Sequence, residues 1–415
     1  MNIERVVGGG AIVALVLALC GCGDGGPSAS ATAGPSAPGV PVVRIGAALS
    51  ESGKYAREGK DVRDGYNLWV EMINARGLMV GGVRHKVEIV YYDDESNPDT
   101  TAKLTERLIT KDRVQFLLGP YSSALTKTAS IAAEKHDVIL IEGSGSSEDL
   151  FERNLKNLFA VLAPAGMYPK AALEALYAKG ARTVAIAYED TSFPTSVAKG
   201  AKKWAKQLGM EVVVEETYPK DVADVSGIIA KLKAKNPDVF IGGGHYNEAV
   251  LFLNAAKEHD FCPKAMVMTI GPSSPDFVAK LGKDTEFLLG PTQWHPTMRQ
   301  SDPDFGTAAD YEARFTKAYG RSATYQAAQS TACGLALQYA IEQAGSLDTA
   351  AVRAALRALN VSTFFGQIQF DDTGKNVVKE MGMTQVLDGK IVLVAPGAEQ
   401  LERLVYPMPA WKDRK

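Results

Sequence analysis

The chain has 415 residues, long enough for two domains of ordinary size, each with its own core. Lysine and arginine (45) nearly balance aspartate and glutamate (48), the formal net charge is -3, and the basic residues are scattered, which argues against a nucleic-acid partner. Four cysteines, Cys20, Cys22, Cys262 and Cys333, are too few and too unevenly placed for a disulfide scaffold. A bridge between Cys262 and Cys333 is open on counting alone; free, mostly buried thiols are the expectation.

The first residues read as a targeting signal. Arg5 gives a thin basic start, and Val6 to Leu19 is an uncharged stretch of 14 residues, too short to span a bilayer. It runs into Leu19-Cys20-Gly21-Cys22. A small residue before a cysteine, with an aliphatic residue three positions before it, resembles the bacterial lipoprotein signal. That resemblance implies a signal peptide over 1–21 and lipidation of Cys22; Cys20 is the lesser acceptor, because Leu19 would then hold the small-residue position. An ordinary secretory signal is the alternative. Residues 22–41 are rich in Gly, Ser, Ala, Pro and Thr, a flexible tether, and the folded protein is expected from near Val42.

Val42 to Leu49 reads as a first strand, followed by a helix with Val62, Tyr66, Trp69, Val70 and Ile73 on one face. Gly77 and Gly81-Gly82 stop that helix. Val87 to Tyr92 is the next strand, then a helix from Thr100 to Lys111, a short apolar strand at Phe116-Leu117-Leu118, a helix from Leu125 to His136 and a strand from Val138 to Ile141. Ala163-Pro164-Ala165-Gly166 breaks the rhythm and marks a passage between lobes. The alternation then restarts: helix Met167 to Lys179, strand Thr183 to Tyr188, a helix with Val197, Ala201, Trp204 and Leu208, strand Glu211 to Glu215, helix Val225 to Lys235, strand Val239 to Ile241 and helix Glu248 to His259. Ala102 to Pro120 and Ser226 to Gly244 share one order of helix, polar turn, apolar strand and glycine break, as if one architecture were used twice. Later helices are expected over Phe305–Tyr319, Tyr325–Gln343 and Thr349–Leu359, and strands over Phe364–Phe370 and Met383–Val394, the second broken at Asp388-Gly389. Strand and helix in alternation imply mainly parallel sheets covered by helices.

Two strands end in serine loops, Gly119-Pro120-Tyr121-Ser122-Ser123 and Gly143-Ser144-Gly145-Ser146-Ser147. Hydroxyls and free backbone N–H groups where a helix starts suit a carboxylate or other anion, although serine and glycine also cap helices and form turns without a ligand. Two such loops on successive strands, at the carboxyl ends where open α/β sheets bind ligands, favour a cleft. Neither loop carries G-x-S-x-G, and the five histidines are scattered; His245, alone at a strand end, suits a ligand contact or a plain loop better than catalysis. Metal spacing is absent, and Gly143-x-Gly145 lacks the third glycine of a dinucleotide fingerprint, so neither a metal nor a cofactor is expected.

RIGAALSESGKYAREGKDVRDGY, INARGLMVGGVRHKVEIVYYDDESNP, LLGPYSSALT and FFGQIQFDDTG together resemble the branched-chain amino acid type of solute-binding proteins that feed ABC transporters. The resemblance implies the type I periplasmic-binding (Venus-flytrap) fold: α/β, two Rossmann-like lobes with parallel central sheets and three crossovers. It places the first lobe at 42–162 and 293–372, the second at 163–292 and 373–406, and a tail at 407–415. Carried over, the ligand carboxylate falls to Ser123 and to backbone and hydroxyl groups of Ser144, Gly145 and Ser146, with Ser122 beside them. Aromatic contacts fall on Phe193 and on His245 or Tyr246, with Tyr121 and Trp294 as further wall candidates. The early tyrosine of amino-acid binders aligns near Glu58, with Tyr55 close by. The acid that would pair with a ligand ammonium falls near Ile270-Gly271, where no carboxylate stands; either Glu58, Glu189, Asp190 or Glu248 takes that role, or the ligand is not an α-amino acid. The implied role is a monomeric, lipid-anchored extracytoplasmic binder that delivers a small carboxylate-bearing solute to permease subunits with their ATPases. A ligand-sensing receptor module and an exported hydrolase are the readings from other classes.

Overall fold

The computed structural model describes residues 39–414; the expected leader, Cys22 and nearly all of the tether lie outside the described residues. The chain opens with β1 (Val42–Leu49), α1 (Ala56–Arg76), β2 (Leu78–Val80), β3 (Val83–Asp93), α2 (Pro98–Thr110), β4 (Phe116–Leu118), α3 (Ser123–Lys135), β5 (Leu140–Glu142) and β6 (Leu158–Ala160). They build a six-stranded sheet in the order β2-β3-β1-β4-β5-β6, parallel except for β2 against β3. The β2–β3 hairpin departs from the sequence reading, in which the glycines merely stop a helix. Leu78 and Val80 are buried, and that alternation is enough for an edge strand between Gly77 and Gly81.

A second round follows: α4 (Lys170–Ala178), β7 (Thr183–Glu189), α5 (Ser192–Leu208), β8 (Glu211–Tyr218), α6 (Ser226–Lys235), β9 (Val239–Gly243), α7 (Tyr246–Glu258), β10 (Ala265–Met268), α8 (Pro275–Leu281) and β11 (Leu289–Thr292). After a small ribbon, β12 (Ser301–Asp302) with β13 (Gly306–Thr307), the chain returns to the first lobe as α9 (Ala308–Tyr319), α10 (Tyr325–Ala344) and α11 (Thr349–Ala358). The hairpin β14 (Asn360–Thr363) and β15 (Gly366–Gln369) leads back to β16 (Gly382–Leu387) and β17 (Lys390–Ala395), which join the second sheet antiparallel. That sheet has seven strands, β17-β16-β11-β10-β9-β7-β8. The chain therefore crosses between the lobes after β6, after β11 and before β16.

The orders β3-β1-β4-β5-β6 and β8-β7-β9-β10-β11 are the same topology, and the two echoing segments fall on α2–β4 and α6–β9. In each lobe the strand order reverses beside the first strand, at the β1/β4 gap and the β7/β9 gap, the places where α/β sheets take ligands. The expected single strand Phe364–Phe370 is a hairpin instead: Phe364 and Phe365 sit fully buried in its turn, so an apolar run made for the core was read as a strand. Cys262 and Cys333 are free thiols, the second buried and the first half-buried.

Helix α10 is buried on nearly every side, polar residues included, and lies against α1 at backbone distance. Thr331 Oγ1 donates to the Gly65 carbonyl (2.8 Å), and Trp69 Nε1 donates to Gln338 Oε1 (3.1 Å). A Cβ on Gly65 would fall on the Ala327 carbonyl, and one on Gly334 would fall on the Trp69 ring. Gly65→Val should therefore force the two helices apart and lower unfolding stability by about 1–3 kcal/mol, read from urea denaturation; an unchanged midpoint would show that the helices have room to spare.

Candidate functional site

The first-lobe wall is built from the loops after β1, β4 and β5. Ser122 caps α3 through a backbone at φ 81°, ψ 147°, a conformation that suits glycine, and its Oγ accepts the Leu125 N–H at 3.5 Å. Strain of that kind costs on the order of 1–3 kcal/mol and persists where the surroundings impose it. Ser123 Oγ accepts the N–H groups of Ser146 and Ser147, both at 3.1 Å. Glu142, buried at the end of β5, accepts from Thr126 Oγ1 (2.7 Å), from the Gly145 N–H (2.8 Å) and from the Ser144 N–H. Burial pushes its carboxyl up to about 7, against the lowering pull of those donors. Ser144 Oγ accepts from Gln329 Nε2 (3.0 Å).

This alters the expected role of the second serine loop. Its amides, assigned to a ligand carboxylate by resemblance, already serve the chain's own oxygens, because buried N–H groups must be paired. What the loop leaves open is Ser146 Oγ, which is buried and completes no hydrogen bond. At the start of α3 the Ser123 and Ala124 N–H groups are among those for which a helix supplies no acceptor.

The second-lobe wall comes from the loops after β7 and β9. Phe193 sits in the first turn of α5 and His245 caps α7. Aromatic rings of the two lobes meet directly: Tyr55 and Tyr121 lie 5.4 Å apart, His245 lies 4.9 Å from Tyr55 and 5.8 Å from Tyr121, and Phe193 lies 5.5 Å from His245. Tyr168, from the first crossover, packs edge-on against Phe193 at 5.2 Å and within reach of Ser146 and of Tyr325, the first residue of α10. Burial lowers the His245 imidazole to about 4, so it is neutral at physiological pH, with Nδ1 3.3 Å from the Tyr121 hydroxyl.

Lys54 crosses the same gap. Its Nζ lies 2.7 Å from Glu189 Oε2 and 3.1 Å from Glu248 Oε1, and both acids are almost wholly buried. The remaining oxygens are used as well, Glu189 Oε1 by Thr191 Oγ1 (2.9 Å) and Glu248 Oε2 by the His245 N–H (3.0 Å). Burial alone would lower the Lys54 ammonium, but hydrogen bonds and charge from the two glutamates outweigh it and its pKa is raised. At the rim Arg57 pairs with Asp276 (2.9 Å), donates to Ser274 and stacks 4.2 Å from the Tyr246 ring.

Tyr55, Tyr121, Ser122, Ser123, Ser146, Phe193 and His245 are thus gathered at one place. Tyr246 belongs to the rim, packed between Arg57 and Phe277. Gly145 is pressed against Thr126, and Trp294 lies edge-on to Tyr311 at 5.5 Å, in the second crossover rather than beside the serine loops. A cavity of about 950 Å³ opens there, lined by Trp294, His295, Pro275, Val278, Ala323 and Tyr325; Tyr325 is the wall it shares with the aromatic set. Sequence reasoning missed Tyr168, Tyr325 and Lys54. Tyr168 follows the Ala163–Gly166 break directly and Tyr325 follows the capping Thr324, signals that mark helix starts without saying what they face. Among the described residues no group of side chains could hold a metal ion, and no helix is long and apolar enough to cross a membrane.

A family profile described as "Periplasmic binding protein" matches residues 42–390. The chain is 27% identical over 406 residues to the Leu/Ile/Val-binding protein homolog 7 of Brucella abortus (strain 2308), covering 92% of this chain and 98% of that one. Among solved structures it is similar to the leucine binding protein LivK of Thermotoga maritima (TM-score 0.75, 23% identity, 85% and 98% of the two chains). It is also similar to LivJ of Streptococcus pneumoniae in complex with isoleucine (0.75, 24%, 86% and 100%) and to a solute binding protein of R. palustris in complex with benzoate (0.73, 19%, 89% and 97%). These likenesses show the type I fold that the topology describes.

The strain at Ser122 gives a direct test. Ser122→Gly relieves the backbone and gives up only a few tenths of a kcal/mol of capping, so it should stabilise the protein by about 1 kcal/mol. Urea denaturation measures this, and a destabilised variant would show that the hydroxyl does more for the fold than its long bond to Leu125 suggests.

Proposed function

The chain belongs to the periplasmic binding protein family, and on that premise we propose that it is the extracytoplasmic solute-binding component of an ABC importer, taking a small carboxylate-bearing solute between its lobes. The observation that carries this reading is the hydroxyl of Ser146, which is buried without a completed hydrogen bond in a loop whose Ser144 to Ser147 amides and other serine hydroxyls are engaged, and which lies beside Tyr168 on the edge of the aromatic set. A buried hydroxyl without a partner costs free energy unless something supplies an acceptor. A carboxylate lying against Ser146 Oγ, the Ser123 hydroxyl proton and the first amides of α3 would supply it. The Tyr55, Tyr121, Phe193 and His245 rings would cover the apolar remainder of the solute. Relatives are named for leucine, isoleucine and valine, and one neighbour of the same fold holds benzoate, so a small carboxylic acid with an aliphatic or aromatic body fits the range of the family.

Release to a permease follows from the geometry of closure. Contacts from both lobes converge on the solute, so the closed form is favoured when it is bound, and the closed form is what permease subunits with their ATPases would recognise. In this reading the leader and Cys22 hold the protein outside the cytoplasm on a membrane, and it works as a monomer.

A thermal-shift screen over amino acids, their amides and small organic acids should give a rise in Tm with carboxylate-bearing solutes, since a ligand of the folded state alone stabilises it. Ser146→Ala should weaken such a ligand by about 1–3 kcal/mol in calorimetry, the cost of a lost charged-acceptor hydrogen bond. Shifts with uncharged solutes only would sink the carboxylate assignment.

A further inference from the structure

We propose that Glu142 is a positioning residue that carries a proton in the assembled site. Its Oε2–H donates to Thr126 Oγ1, Thr126 donates in turn to the Ser122 carbonyl, and this relay clasps the two serine loops. Binding of an anionic solute beside those loops is then coupled to the proton. The coupling rests on the carboxylate reading of the cleft; the proton itself does not. Thr126 Oγ1 lies 2.7 Å from Glu142 Oε2 and 2.9 Å from the carbonyl oxygen of Ser122, the cap of α3. A hydroxyl has one proton to donate. If Glu142 is ionised, Thr126 must donate to it, and the approach to Ser122 sets two oxygens face to face with no proton between them. If Glu142 is a carboxylic acid, both short distances are hydrogen bonds.

The surroundings supply no cation to hold a negative charge there. Glu142 is fully buried, and burial and hydrogen bonds, with no basic side chain, are what act on its carboxyl. The titratable groups that face it are Tyr66 on α1 and Cys333 on α10. Burial raises both, with nearby negative charge adding to it, so both stay neutral. The end of β4 contributes Gly119, where a Cβ would fall on Glu142 Oε2, so the carboxyl is pressed against backbone. Helix α3 contributes the Thr126 hydroxyl, and the loop after β5 contributes the Ser144 and Gly145 amides. Burial outweighs those donors and raises the carboxyl to about 7. The two loops are thus fastened by a group that titrates near neutrality and has a proton path drawn for its neutral form.

The charge of this carboxyl bears on an anionic solute. Gly145, whose N–H reaches Glu142, adjoins Ser146, and Thr126 lies one turn along α3 from Ser122 and Ser123. A solute carboxylate against Ser146 Oγ and Ser123 would have a second negative charge behind the loop if Glu142 were ionised, and like charges favour the neutral form. Solute binding above about pH 7 therefore takes up a proton, and affinity falls as pH rises past that value. For the fold the sign is the same. A carboxyl raised from 4.5 to about 7 by folding stabilises fully below 4.5 and loses that contribution as pH rises through the folded value.

The experiment compares the full protein with Glu142→Gln, whose side chain reproduces the neutral acid: a carbonyl toward the Ser144 and Gly145 amides and an NH2 toward Thr126. Glu58 and Lys379 also lie at about 7, so the difference between the two proteins is the readout. In urea denaturation without ligand, the variant should gain on the wild type as pH rises from about 5 to 8, the ratio of unfolding constants widening by up to about tenfold per pH unit below 7. A constant offset, a variant less stable at pH 8, or one that fails to fold overturns the proposal, since the loops would then need the carboxylate or be indifferent to its proton. Calorimetry with benzoate and with L-leucine at pH 8, in phosphate and in Tris buffer, reads proton uptake on binding. The wild type should take up a fraction of a proton that the variant does not, and the variant should bind about threefold more tightly or better. Equal proton uptake by both proteins overturns the coupling. Binding of neither probe counts against the carboxylate reading, and the stability comparison then decides the proton alone.

Discussion

Lys54, Glu189, Glu248, Glu58 and His245 are held out of water together where the lobes meet, and the way each is neutralised governs what the gap can hold. Isolated buried charges are expensive, so they persist only when paired or when a proton removes the charge. Here the first lobe sends one ammonium across to two carboxylates of the second, and the imidazole between them gives up its charge through burial. The Lys54 bridge ties the two lobes together and occupies both acids. Glu58, in the first turn of α1 after Tyr55, is likewise buried and keeps Oε1 without a partner, as Asp61 and Asp94 each keep one oxygen among the described residues.

The serine loops obey the same logic of satisfaction. Glu142 is a buried carboxyl that would be costly by itself, yet it organises the loop after β5 by collecting the Thr126 hydroxyl and two backbone amides. Ser123 then fastens that loop to the start of α3 through two further amides. The result is rigid. It leaves only a hydroxyl and a helix start without partners, where a looser loop would offer a whole run of amides. If this surface takes the carboxylate as proposed, its small size would make it discriminate by position, since a ligand oxygen displaced by an ångström would leave Ser146 without a partner.

The architecture was readable in the sequence because it is written in local periodicity. Val62, Tyr66, Trp69 and Ile73 fall on one helical face, Phe116 to Leu118 is a strand buried on both sides, and the echo between Ala102–Pro120 and Ser226–Gly244 marks one topology used twice. The loops that would meet across the cleft were legible for the same reason: they end strands. Features decided by partners far along the chain were not. The β14–β15 hairpin hides in an apolar run whose two phenylalanines plug the core, and the β2 edge strand is only three residues long. Which amides of Ser144 to Ser147 are free depends on Glu142 and on Ser123, 23 residues upstream of Ser146. That Lys54 meets Glu189 depends on a separation of 135 residues, beyond anything spacing can convey. The choice among Glu58, Glu189, Asp190 and Glu248 could therefore be posed from sequence and narrowed only by placing every cation beside its acid.

These pairings also indicate where the energy of closure resides. Arg57 and Asp276 meet at the rim with Asp276 half exposed, and an ion pair so wet contributes about 0–1 kcal/mol. The Lys54 pair is nearly dry, so losing one member strands the others, and the lobes must part to rehydrate them. A ligand can shift the balance between open and closed forms only by as much as it prefers the closed one. Ser146 belongs to the first lobe, and with Lys54 seated the second lobe presents Phe193 and a neutral His245 across the gap. On the proposed reading, first-lobe groups would hold the charged end of the solute, while the rings of the second lobe would close over its apolar face. On that division, ligand polarity would set affinity through one lobe, and ligand shape the degree of closure through the other.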